Sequence, residues 1–288
     1  MMIVIIASHR ACRTVTNLLT CNTSFMIANF LLNNLLGALY GFRTDWAENQ
    51  PLCFLKAVWG TMSSAGICYS YVLQAMSRLF FAVFYKHKFL LTFRMHWYMI
   101  ALNWIISILL AIEPIFINGA LGFEEESRIC VAKSKIFASS IYITVVVIFI
   151  PLNIAIFIYA KIFYRSYQAT QQVVNMAFDT TASHMPNAKR EKKLARNMVL
   201  IIGNFAFSGI IYAILAFWHI IAPNILPPKE LYLMSMHTIV SFITLKMIFF
   251  FVMNKQVKDI VFSRLRLTRQ RIHPTSNGQR SAPNLIRR

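Results

Sequence analysis

The chain alternates between long apolar stretches and shorter polar connections, and the apolar stretches recur at one characteristic length. Six of them run over Leu18–Gly41, Cys53–Val83, Tyr98–Leu121, Ile136–Phe163, Leu194–Ile221 and Leu231–Met253. The hydrocarbon core of a bilayer, about 30 Å thick, takes roughly 20 apolar residues as a helix. A helix satisfies its own backbone hydrogen bonds in lipid, which an isolated strand or loop does not. Each stretch is therefore expected to be a membrane-spanning helix. A seventh stretch, Met1–Ala7, is too short to cross and is followed at once by His9, Arg10 and Arg13. A signal peptide carries its charge before the apolar part, so residues 1–8 read instead as the inner end of another span, present only as a stub. The expected fold is all-α: a polytopic membrane bundle of seven helices over residues 1–253.

The polar connections set the orientation. Lys and Arg concentrate in alternate loops: 22 fall on one side, among them Arg78, Lys86, Lys88, Arg94 and the run Lys189–Arg190–Glu191–Lys192–Lys193. The other side holds six, and Lys246 sits within a span. Basic loops stay in the cytoplasm, so the richer side is expected inside, together with the C-terminus. After Met253, residues Val257, Ile260, Val261 and Leu265 share a helical face among basic neighbours. That pattern predicts a short amphipathic helix over residues 254–267, lying on the anionic inner leaflet. Residues 268–288, rich in Arg, Ser, Pro and Gly, are expected to form a disordered basic tail.

Composition narrows the class further. The 288 residues are 57% hydrophobic and 14% charged, with mean hydropathy +0.55, whereas soluble domains are about 45–50% apolar and about 25% charged. This excludes an ordinary soluble enzyme and a disordered protein. The net charge of +19 would suggest nucleic acid in a polar chain. Here the basic residues lie between apolar runs, and membrane lipid is the expected partner instead. Five cysteines without a CxxC pair suggest neither a disulfide framework nor a metal, and no cofactor is expected.

Local motifs then point to a family. Cys53 follows Trp46 by seven residues, and Ser77–Arg78–Leu79 closes the same span 25 residues after Cys53. Cys130 lies in an outer loop, and Trp104 marks the middle of the next span. Pro151 is followed eight residues later by Tyr159. Lys-Arg-Glu-Lys-Lys precedes Leu194–Ile221, and the last span ends in Val252–Met253–Asn254–Lys255–Gln256. Together these resemble the rhodopsin-like (class A) G-protein-coupled receptors over nearly the whole chain, in a divergent form truncated within the first helix. Several family motifs are altered. Met26–Ile27 stands where the family has an acid, and Ser77 replaces the Asp of Asp-Arg-Tyr. Ser208–Gly209–Ile210–Ile211 replaces Cys-Trp-x-Pro, and Lys246–Met247–Ile248–Phe249–Phe250 replaces Asn-Pro-x-x-Tyr.

The resemblance implies a disulfide between Cys53 and Cys130, against the alternative of two free thiols. It also implies an activation switch in which Arg78 exchanges a contact with Glu191 for one with Tyr159. The plain alternative is an arginine snorkelling to the inner headgroups. Lys246, an intramembrane cation, is a functional candidate by default. It either replaces a mobile sodium ion beside Asn29, Asn33 or Ser64, or reaches toward the inner interface. The lysine that holds retinal in visual pigments has its counterpart in Val240. Gly60 stands where amine receptors carry an Asp. Tyr212, Trp218 and His219 offer stacking and hydrogen bonds, and Glu124, Glu125 and Glu126 make an outer loop acidic. An acidic rim with aromatic walls suits a basic peptide, although such residues are commonly solvated loop or interface-belt groups.

The function expected from the resemblance is therefore a non-enzymatic receptor of the plasma membrane. It would pass the binding of an extracellular ligand, a peptide being one candidate, to a heterotrimeric G protein through helix rearrangement. Two alternatives stand beside it. One is a degenerate receptor-fold protein that no longer signals. The other is a transporter or channel using Lys246 and Glu113, disfavoured because no inverted repeat or paired broken helices are visible.

Overall fold

The computed structural model describes residues 14–41, 49–124, 129–133, 136–176, 203, 206–207, 209–218, 221–222, 225 and 227–253. The expected stub, amphipathic helix and basic tail lie outside these residues. Helix α1 spans Val15–Gly41 and α2 spans Gln50–Ala82. Then come α3 (Phe93–Ile112), a hairpin of β1 (Leu121–Glu124) and β2 (Ile129–Ala132), and a span made of α4 (Phe137–Tyr142), a π-helical run (Ile143–Phe149) and α5 (Ile150–Met176). Helix α6 covers Gly209–Trp218 within the expected fifth full-length span, and α7 covers Lys229–Met253.

Helix α2 is the axis of the bundle. It packs against α1, α3, α5 and both hairpin strands. Its 33 residues measure about 50 Å at 1.5 Å per residue, longer than the bilayer core. Asn49 caps its start by accepting a hydrogen bond from the Leu52 amide at 3.4 Å, and Pro51 occupies the first turn, where its missing N–H costs nothing. Protein surrounds most of the helix, which is why it tolerates Ser63, Ser70, Gln74 and Ser77 as buried residues. Four other described helices are long and apolar enough to cross a membrane by length and composition.

Helix α3 shows how a membrane reverses the usual amphipathic rule. The buried stripe His96, Met99, Ile100, Asn103, Ser107 and Ala111 recurs every three to four residues and carries the polar groups. The exposed stripe is Tyr98, Leu102, Ile105, Leu109 and Ile112. The helix begins at Phe93, five residues before the expected start, because the Thr92 hydroxyl accepts from the Met95 amide at 3.3 Å and caps it. It gives way at Pro114 to one 3-10 turn, Glu113–Phe116, so Leu121 belongs to a strand and not to the span.

Two tyrosines complete the backbone bonding that two prolines leave open. Pro114 has no N–H to offer the Leu110 carbonyl four residues back, and the Tyr142 hydroxyl donates to that oxygen at 3.0 Å. In the π-helical run each amide bonds five residues back, as Ile150 does to Val145. The next amide in the series would be that of Pro151, which leaves the Val146 carbonyl without a partner from its own helix. The Tyr69 hydroxyl of α2 donates to it at 3.1 Å.

The hairpin was not foreseen from the sequence. An Ala120-to-Ile117 hydrogen bond of 3.0 Å closes a turn in which Gly119 takes φ +74°, a conformation that favours glycine. The strands pair antiparallel, with Phe123 opposite Cys130.

Candidate functional site

Cys130 of β2 is bonded to Cys53 in the first turn of α2, with 5.1 Å between their Cα atoms. The bond pins the hairpin across one end of the bundle. Beneath it lies a cavity of about 140 Å³, walled by α1, α2, the π-helical run, α6, α7 and residues Cys130–Ala132 of the roof. Gly60 and Tyr212 both line it, as does Val240, whose side chain has no amine to which retinal could attach. Asn33, which is 6% exposed, faces Gly60 so closely that a Cβ there would stand 2.7 Å from the amide Nδ2.

The other expected ligand residues are dispersed. Trp218 donates its indole N–H to the Ile225 carbonyl at 3.0 Å, on the exposed side of α6. Glu124 is buried and sits within electrostatic reach of Tyr212, so it belongs to the interior of the roof and not to a solvated rim. Glu125, Glu126 and His219 lie outside the described residues.

The C-terminal half of α2 carries the second group of residues. Arg78 is close enough to Tyr159 of α5 for its charge to act on the phenol ring. Glu191 lies outside the described residues. The neighbouring Ser77 hydroxyl lies 2.9 Å from Nε2 of His96, whose Nδ1 lies 2.9 Å from the Thr92 carbonyl. That carbonyl can only accept, so Nδ1 carries a proton, and in the neutral ring Nε2 then accepts from Ser77. His96 is fully buried and stacks on Phe81 with centroids 6.1 Å apart. Sequence reasoning noticed Ser77 but missed His96.

Lys246 lies between these two regions. It is 1% exposed, and its ammonium stands 5.0 Å from the centroid of the Tyr71 ring. Cys68 is also within reach of its charge. The residues expected beside it are placed differently: Asn29 donates to the Phe25 carbonyl of its own helix, while Asn33 and Ser64 line the cavity. Met26, at the position of the altered acid, is fully buried, and its sulfur fills the notch at Gly66, 2.7 Å from where a Cβ would stand. No cluster of three or more His, Cys, Asp or Glu that could hold a metal occurs among the described residues.

Membrane helices around a central rod, with a disulfide-tied roof over a cavity at one end and an arginine toward the other, define a receptor of the seven-helix class. The family model described as 7 transmembrane receptor (rhodopsin family) matches residues 1–254, and the chain belongs to that family. Among solved structures it is similar to the crystal structure of squid rhodopsin, with a TM-score of 0.76 and 16% identity over 98% of this chain and 86% of that one. At that identity the likeness shows the fold alone. No curated protein matches the chain.

Proposed function

We propose that this rhodopsin-family receptor binds an extracellular ligand in the cavity beneath the hairpin and passes that event to a heterotrimeric G protein at the inner face. One observation supports the reading above the others: α2 carries both the cavity wall, at Gly60 and Thr61, and Arg78 beside Tyr159. Ligand binding that favours one arrangement of α2 over another changes what Arg78 presents to the cytoplasm. No bond is made or broken in the receptor, whose output is a shift in population between helix arrangements. Lys246, packed on Tyr71 of the same helix, would act as a fixed internal cation restraining that shift.

The peptide form of the reading drew on an acidic rim. With Glu124 turned inward, the cavity and not a rim is what supports ligand binding. The positive-inside distribution of Lys and Arg supports a cytoplasmic side for residues 164–196 and the C-terminus of a plasma-membrane protein.

Nucleotide exchange on a panel of G proteins, in cells expressing matched surface levels of the wild type and Arg78→Ala, tests the proposal. Basal exchange in the wild type should fall to the level of untransfected cells in the variant. Equal exchange in the two would favour a receptor fold that no longer signals.

A further inference from the structure

The cavity beneath the hairpin has a chemistry specific enough to select a ligand class. Its walls are mostly apolar, from Phe30, Val147, Ile239 and Ile243 among others, and no charged side chain lines it among the described residues. The nearest charges are turned to other tasks. Lys56 is 7% exposed and donates to the Cys130 carbonyl at 3.4 Å, behind the roof, and Glu124 is 2% exposed within reach of Tyr212. An ion entering the cavity would give up its hydration with no counter-charge in the lining, the buried Lys246 standing behind Cys68 and over the Tyr71 ring, and that exchange is costly in an apolar site.

Most polar groups in the wall are also committed. The Asn34 amide donates to the Phe30 carbonyl at 2.8 Å and the Thr61 hydroxyl to that of Ala57 at 3.0 Å, both within their own helices. The Ser64 hydroxyl and the Asn33 amide are the exceptions. The Asn33 Oδ1 is buried and has no hydrogen-bond partner among the described residues. Gly60 makes room for that amide, since any larger residue would push it aside. The Asn33 amide as a whole has no hydrogen-bond partner among the described residues, and its Nδ2 is turned toward Gly60. Buried polar groups are normally satisfied, so this amide calls for a partner from outside.

We propose that this cavity takes a small, uncharged, largely apolar molecule, of the size of a single substituted ring, that forms one hydrogen bond with the Asn33 amide. The volume of about 140 Å³ is close to that of an engineered apolar cavity of about 150 Å³ that binds benzene. The proposal rests on the receptor reading only for its biological meaning, because the binding itself needs no G protein.

The test uses the full-length chain in lipid nanodiscs and fluorine NMR, with empty nanodiscs as the control for partitioning. The probes are para-fluorophenol, fluorobenzene, para-fluorobenzoate and para-fluorobenzylammonium. The phenol should bind roughly three- to tenfold more tightly than fluorobenzene, the factor of one net hydrogen bond, and the two ions should not bind. Asn33→Leu should abolish the preference for the phenol while keeping fluorobenzene. If that variant does not fold, Gly60→Ala, which displaces the amide, should weaken the phenol selectively. Tighter binding of either ion, or a phenol preference that survives in a folded variant, would overturn the proposal. Phenol binding without G-protein activation would leave this inference standing and sink the receptor reading. Activation by an outer ligand without phenol binding would do the reverse.

Discussion

His96 ties Ser77 of α2 to the capping turn of α3, so the polar side chain next to Arg78 is committed to a neighbouring helix. A family member with Asp at that position has a carboxylate beside the arginine; here a neutral hydroxyl donates away from it. Removing one partner of a buried pair costs more than removing both, because the survivor is left desolvated and unsatisfied. Ser77→Ala should therefore lower stability by about 1–3 kcal/mol, read as a drop in Tm of the detergent-solubilised protein. Pairing it with His96→Phe should recover part of that loss. Additive losses in the double variant would show that the two side chains do not interact. The altered Ser77 was legible in the sequence because a motif framed it. His96, 19 residues further on, was not, since no local pattern announces a partner that helix packing alone brings near. Asn33 had been considered as a neighbour of Lys246, and only the approach of α1 to Gly60 shows that it serves the cavity.

At the scale of elements, the proline–tyrosine pairs explain how two spans tolerate a lost backbone bond in lipid. Tyr142→Phe exposes the Leu110 carbonyl to a hydrocarbon surround and should destabilise by about 1–3 kcal/mol. In a Pro114→Ala background, where the helix can supply its own amide, the same change should cost much less. The matching cycle for Tyr69→Phe and Pro151→Ala follows the same logic. Thermal unfolding of the four variants in each cycle measures the coupling, and a coupling near zero would remove the hydroxyls from this role. The sequence announced both prolines. It did not announce the hairpin, whose four-residue strands are too short for alternation to stand out from the surrounding loop. The early start of α3 was hidden for another reason: hydropathy alone does not mark where a threonine caps.

The whole molecule is organised by the lipid and by one covalent staple. Because the length of an apolar run depends on the bilayer and not on its neighbours, the membrane class was readable before any contact was known. An epitope inserted after Met185 should be reached by antibody only in permeabilised cells, and labelling of intact cells would invert the assigned orientation. The roof depends on the disulfide. Cys130→Ser should cost about 2–5 kcal/mol, read as a lower Tm, and a variant as stable as the wild type would show that the hairpin holds its place without the bond. The disulfide followed from the family resemblance, whereas the cavity's chemistry did not, because it arises from six separate parts of the chain that meet only in the folded bundle.

Gly60 and Arg78 are 18 residues apart on α2, or about five turns and about 27 Å of an ideal helix. A whole number of turns sets them on the same azimuth. A molecule that wedges against the glycine and rolls the rod by a few degrees would swing the guanidinium in the same sense at the far end, with no change in backbone hydrogen bonding along the way. Inserting a single alanine between them would throw the two ends out of phase by about 100°, separating what the outer mouth feels from what the cytoplasm is shown.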